Sequence, residues 1–110
     1  CKNIKEIIIP KYVTHIGDYF MINCTELTEI TFLSSDVDIK PNFMKNCYKL
    51  KKIIVNEKFL LNNNIDKLLS AIPLLESIDI ITDEDEIINY FKKYITNKYP
   101  LKEIKIKKND

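Results

Sequence analysis

Cys24-Thr25-Glu26-Leu27-Thr28-Glu29-Ile30-Thr31-Phe32 is followed, 23 residues on, by Cys47-Tyr48-Lys49-Leu50-Lys51-Lys52-Ile53-Ile54-Val55. The same phrase opens the chain 23 residues earlier as Cys1-Lys2-Asn3-Ile4-Lys5-Glu6-Ile7-Ile8-Ile9. Its consensus is Cys-x-x-(Ile/Leu)-x-x-Ile-x-(Ile/Phe/Val). A pattern that returns at a fixed period of about 20–50 residues builds a stack of similar units, each burying its apolar side against its neighbours. Two looser copies lack the cysteine: Leu75, Ile78 and Ile80 after 25 residues, then Leu101, Ile104 and Ile106 after 26. Ile72 and Lys98 stand where cysteine would be.

Within each copy the residues alternate. In Glu6-Ile7-Ile8-Ile9, Glu29-Ile30-Thr31-Phe32 and Lys52-Ile53-Ile54-Val55 the second and fourth side chains share one face and the first and third the other, as a short strand requires. β-branched residues dominate these segments. Each strand recurs after one whole turn in the same direction, so five strands are expected to pair in parallel as a curved sheet. The first two connections are compact. Val13-Thr14-His15-Ile16-Gly17 reads as extended and ends on the one glycine of the chain, where a positive φ is cheapest. Tyr19-Phe20-Met21-Ile22-Asn23-Cys24 matches Asn42-Phe43-Met44-Lys45-Asn46-Cys47 and predicts a short helical turn with Phe and Met packing inward.

The last two connections read as helices. Ile65, Leu68, Leu69 and Ile72 make one apolar face, with Asn64 as the expected N-cap and Pro73 just beyond the end. Asp83 with Glu86 resembles a capping box, acids fill the first turn, and Ile87, Ile88, Phe91, Tyr94 and Ile95 form the expected buried stripe.

At 110 residues, 45% apolar and 30% charged, the chain suits one ordered domain. The 17 basic residues are all lysine and face 16 acids, so there is no strong net field to attract nucleic acid or an anionic membrane. Without Arg the chain lacks the planar fork suited to phosphate and base contacts, and without Trp it has fewer stacking platforms. No apolar run reaches the length of a membrane span. Cellular location is left open.

Ile9-Pro10-x-x-Val13-x-x-Ile16-Gly17, then Phe20-Met21-x-Asn23-Cys24-x-x-Leu27-x-x-Ile30, resembles the leucine-rich repeat of the BspA-like type. The likeness is specific over residues 1–56, although the second turn has Phe32-Leu33 and Ile39-Lys40 in place of the Ile-Pro and Ile-Gly pairs. Over residues 57–110 it is to leucine-rich repeats in general, through Pro73-Leu74-Leu75-x-x-Ile78-x-Ile80 and Pro100-Leu101-x-x-Ile104-x-Ile106. The resemblance implies an α/β leucine-rich-repeat solenoid: five parallel short strands on a concave sheet, compact turns in repeats 1–2, longer helices in repeats 3–4 and a C-terminal cap, all one domain. It also implies a scaffold for protein recognition, sometimes an adhesin, and brings no catalytic residues.

The cysteines and His15 invite a metal or redox reading, but metal sites usually show close pairs such as Cys-x-x-Cys, and none is present. The expectation is a ladder of buried free thiols acting as small apolar residues. His15 has no nucleophile or orienting partner at recognisable spacing, there is no phosphate-binding glycine loop, and Asp83-Glu84-Asp85-Glu86 lacks the spaced ligands and central Gly of a calcium loop. No cofactor, metal or enzymatic activity is expected.

If Ile7, Ile9 and their equivalents face the core, the alternate residues form three columns on the other, concave face. The central one is Ile8, Thr31, Ile54, Asp79 and Lys105. One flank is Glu6, Glu29, Lys52, Ser77 and Glu103; the other is Pro10, Leu33, Asn56, Ile81 and Lys107. Aliphatic residues there have no core role, and an apolar patch rimmed by charge marks contact sites. The candidate partner-binding residues are Ile8, Thr31, Leu33, Ile54, Asn56, Asp79, Ile81 and Lys105. A five-strand face covers only on the order of 200–260 Å², against about 800 Å² per partner in a stable complex. Adjoining loops or further repeats are needed. The first strand has no cap before it and the last ends in a polar run, so the chain reads as the C-terminal piece of a longer array. Self-association through the open N-terminal edge is the alternative to a protein partner.

Overall fold

The computed structural model describes residues 3–17, 23–38, 40, 46–63 and 65–109. Five strands, β1 (Glu6–Ile9), β2 (Glu29–Phe32), β3 (Lys52–Asn56), β4 (Ser77–Ile81) and β5 (Lys105–Asn109), form one sheet in sequence order with every neighbouring pair parallel. Three helices lie in the later connections: α1 (Glu57–Asn62) and α2 (Ile65–Ala71) between β3 and β4, and α3 (Asp85–Lys98) between β4 and β5. The architecture is an α/β repeat fold, as the 23-residue phrase implies.

Alternation decides the layers. Ile30, Phe32, Ile53, Val55, Ile78 and Ile80 are fully buried, and Leu27, Leu50 and Leu75 continue the same core behind them. Each such side chain contributes about 1.5–3 kcal/mol on burial. Carbonyls just before the strands repeat one arrangement: Lys5 O accepts from the Thr28 and Glu29 N–H groups at 2.9 and 3.2 Å, and Thr28 O from Lys51 and Lys52, both at 3.2 Å.

The 23-residue step holds from β1 to β3, with Glu6 opposite Glu29 and Glu29 opposite Lys52, and becomes 25 at β4, where Lys52 faces Ser77. At β5 the expected step of 26 is wrong. Ser77 faces Lys105 and Ile78 faces Ile106, so the last strand lies two residues further along than the leucine alignment implies. A shift of two keeps every side chain on its face, and Ile106 is still buried, but Leu101 does not fill the slot of Leu75 and is 97% exposed. The cause is the length of α3. The helix runs on to Lys98, Tyr99 N–H closes it on Ile95 O at 2.8 Å, and a turn follows in which Lys102 N–H reaches Tyr99 O at 3.0 Å.

That extra length is held by one carboxylate. Asp66 of α2 accepts from Tyr94 Oη and Lys98 Nζ, both at 2.8 Å, and from Tyr99 Oη; Lys98 Nζ also reaches Tyr94 Oη at 3.2 Å. The hydrogen bonds from Lys98 and then Tyr99 hold the Asp66 carboxyl below the usual range, and the same contacts raise Lys98 and Tyr99. A carboxylate with a depressed folded pKa contributes stability that is complete above its unfolded value of about 3.9 and is lost as pH falls through the folded value. Lys98 and Tyr99 have raised values, so their contributions persist until the alkaline side. The melting temperature is therefore expected to hold a plateau at neutral pH and fall in acid. Asp66→Asn should lower the unfolding free energy at neutral pH by about 1–2 kcal/mol and flatten the acid limb, as read by denaturant titrations and thermal melts across pH.

The helices also depart from expectation at their starts. α1 lies in a stretch with no helical expectation; Asn56 caps it by accepting from Phe59 N–H at 2.8 Å, and Phe59 then stacks on Phe32 with ring centroids 4.6 Å apart. α2 forms where the apolar face implies, with Ile65, Leu68 and Leu69 buried; its expected cap Asn64 lies outside the described residues. The Asp83/Glu86 capping box does not form. Thr82 Oγ1 accepts from Glu84 N–H at 3.1 Å, so the local turn takes the chain past Asp83 and the helix starts at Asp85. Ile88, Phe91 and Ile95 are its buried residues, with Ile87 and Tyr94 partly covered.

Gly17 does not adopt a positive φ. That conformation belongs to Asn23 and Asn46, at φ 61° and 67°, each immediately before a cysteine. Asn tolerates the left-handed region better than most residues, and Asn46 Nδ2 donates to Asn23 Oδ1 at 2.8 Å, tying successive turns together. The thiol ladder is corrected as well: Cys24 is disulfide-bonded and fully buried, while Cys47 is only half-buried. The helical turns expected around Phe20-Met21 and Phe43-Met44 lie outside the described residues.

Candidate binding face

The face of the sheet opposite the core carries the alternate residues. Its central column, from the observed register, is Ile8, Thr31, Ile54, Asp79 and Lys107. Lys105 does not join that column: the two-residue shift puts it on the flank beside Ser77, in line with Glu6, Glu29 and Lys52, and gives Lys107 the central place. The opposite flank continues through Asn56, Ile81 and Asn109.

The candidate residues differ in how free they are. Ile8 is 65% and Leu33 42% exposed, whereas Thr31, Ile54 and Ile81 are half-buried. Asp79 is buried and engaged: Lys52 Nζ lies 3.5 Å from its carboxylate and 3.5 Å from that of Glu29, and Ser77 Oγ donates to Asp79 Oδ1 at 3.3 Å. The attraction of Asp79, and then of Glu29, raises the Lys52 pKa. This bridge across β2, β3 and β4 sets one lysine between two carboxylates on the face. Asn56 is also committed, through the α1 cap and a 3.4 Å bond from Nδ2 to Leu33 O.

At the C-terminal ends of the strands these residues border a shallow depression of about 500 Å³, lined by Pro10, Lys11, Tyr12, Leu33, Asn56 and Ile81. Sequence reading placed Leu33, Asn56 and Ile81 there but missed Tyr12, which is 81% exposed. The signal was local. Tyr12 continues the outward alternate set of Ile8 and Pro10, in a turn closed by Val13 N–H on Pro10 O at 3.2 Å.

Among the described residues no group of His, Cys, Asp and Glu could hold a metal ion. His15 is exposed and pairs by backbone with Asp38 in an isolated parallel bridge. Burial pushes the Cys47 thiol up, against a smaller opposing effect of the Cys24 backbone, which disfavours the nucleophilic thiolate. Among the described residues no helix is long and apolar enough to cross a membrane.

Comparison with known families agrees with this geometry. The model of the BspA type leucine rich repeat region matches residues 1–110 in six copies. The chain belongs to the BspA-type leucine-rich repeat family. No curated protein and no solved structure matched it. Leucine-rich repeats of this kind are generally non-enzymatic, and such scaffolds are often used for protein interaction. The BspA-type repeat thus accounts for the Cys-x-x-Leu-x-x-Ile phrase as a stacking rule, which the outward columns do not share.

Proposed function

We propose that this chain is a non-enzymatic protein-recognition scaffold, a solenoid whose concave sheet face and adjoining loops bind a protein partner. The observation that carries the reading is the apolar depression beside Tyr12, Leu33 and Ile81, with Ile8 exposed on the neighbouring column. Exposed aliphatic and aromatic side chains grouped in a concavity have no core role, and aromatic anchors in such places supply much of the energy of protein contacts. One side chain would not hold a partner, but a loop tyrosine beside the strands extends the contact beyond the small sheet face. Lysine in place of Ile8 and Leu33 should weaken retention of partner proteins from extracts of the source cells by roughly tenfold or more. Circular dichroism should be unchanged, since neither side chain is buried. Equal retention by the double variant would move the site to the helical side.

A second reading is a structural or self-associating array segment, as in an adhesin. It is favoured by β1, which pairs with β2 alone among the described strands and leaves one backbone edge unpaired. Sedimentation at rising concentration separates the two: self-association that survives the Ile8 and Leu33 changes favours the edge, and a monomer throughout counts against it.

A further inference from the structure

The N-terminal margin of that face, where it meets α3, differs in chemistry from the apolar depression. At the N-terminal ends of β3, β4 and β5 lies a cleft of about 730 Å³ whose lining includes Lys51, Lys52, Lys102, Lys105 and Lys107 against Glu76 and Glu103. Lys52 is held by Glu29 and Asp79. None of Lys51, Lys102, Lys105 and Lys107 is in a salt bridge among the described residues, and all four are exposed. The register shift helps to create this concentration, because it brings Lys105 beside Ser77 and Lys107 beside Asp79, where the 26-residue step would have put Glu103 and Lys105. Half-buried Ile104 adds an apolar wall.

We infer that this cleft receives an acidic segment of the protein partner, one in which carboxylates alternate with apolar side chains. The inference rests on the recognition reading above and specifies its partner. Four lysines without ion pairs supply the positive charge, and Ile104 offers contact to the apolar residues between the acids. Two features favour such a peptide over a uniform polyanion. Glu76 and Glu103 interrupt the basic lining and repel a chain charged at every unit, and lysine is a point charge without the fork that makes arginine the usual reader of phosphate. The partner thus meets two unlike zones on one face, an apolar hollow past the strand ends at β1–β4 and a basic cleft before β3–β5, which fixes its direction across the sheet.

The test is fluorescence anisotropy with the full chain and a short fluorescein-labelled peptide in which Glu and Asp alternate with Leu and Val. The expected result is binding that weakens as salt rises and falls by roughly tenfold in K102Q/K105Q/K107Q, at about twofold for each exposed pair. K58Q/K92Q/K93Q, with the same change in net charge at exposed positions outside the cleft, should bind as the parent does. Equal loss in both triple variants, equal binding of the Gln and Asn version of the peptide, or no binding at low salt would each overturn the proposal. Tighter binding of heparin or a single-stranded oligonucleotide through the same lysines would overturn the peptide assignment in favour of a polyanion. If the peptide fails while partner capture still depends on Ile8 and Leu33, the acidic segment is wrong and the recognition reading stands.

Discussion

Phe59→Ala is expected to destabilise the protein by about 3–5 kcal/mol, the largest effect of any single change considered. The side chain is fully buried and stacks on Phe32 across the joint between α1 and the sheet. Truncation leaves a ring-sized hole between two elements that cannot close on each other, because Asn56 fixes the start of the helix and Asn63 its end. Domains of this size are stable by only about 5–15 kcal/mol in total, so the loss should show as a large drop in the urea midpoint with little change in slope. Phe59→Leu, which retains most of the volume, should cost much less. Equal costs for the two variants would show that filling the joint is not what stabilises it.

The second large effect is expected at Asn63, a polar residue buried at the end of α1. Its Nδ2 donates to Val37 O at 2.8 Å and to Phe59 O at 3.3 Å, and its backbone N–H donates to Phe59 O at 2.8 Å. Asn63→Ala keeps the backbone bond and strips the Val37 carbonyl of this donor, at a cost of about 1–3 kcal/mol. Asn63→Asp should be worse at neutral pH, since it sets a carboxylate against two carbonyl oxygens. The gap between the two variants should narrow in acid as the carboxyl gains a proton, and denaturation at two pH values would measure it. A constant gap would mean that the aspartate turns away from both carbonyls.

The repeating phrase made the strands legible because burial of Leu27, Ile30 and Phe32 and of their equivalents follows directly from spacing. The same spacing assigned the outward residues, and Ile8 and Leu33 are indeed exposed. What spacing could not carry was anything set by contacts between repeats. The register of β5 depends on how far α3 runs, and that depends on Asp66 meeting Tyr94, Lys98 and Tyr99 from 28 to 33 residues away. Leu101 looked like Leu75 in its local context, yet the longer helix carried it past the core. Asn56 fitted a surface column by position and also the cap of a helix; its neighbour Phe59, lacking a second apolar periodicity, gave no warning of the second role. The single glycine drew attention by its rarity, while two asparagines took the left-handed conformation.

Those asparagines bear on how the array could grow. Asn23 and Asn46 have the same conformation at equivalent points, and the amide of one reaches the amide of the other, so each offers an acceptor oxygen on one side and a donor nitrogen on the other. Lys49 and Glu26 repeat the relation at 2.9 Å, with their charges at the same 23-residue offset. A duplicated 23-residue unit inserted at this boundary would keep the asparagine pairing, whose two members are alike, but would bring like charges together at the Glu26/Lys49 position. The half of the chain built around Asp66 has no such interchangeability: its contacts join unlike residues on unlike helices, and each can be satisfied only once. Lengthening by duplication is therefore open to the cysteine-bearing turns and closed to the helical ones.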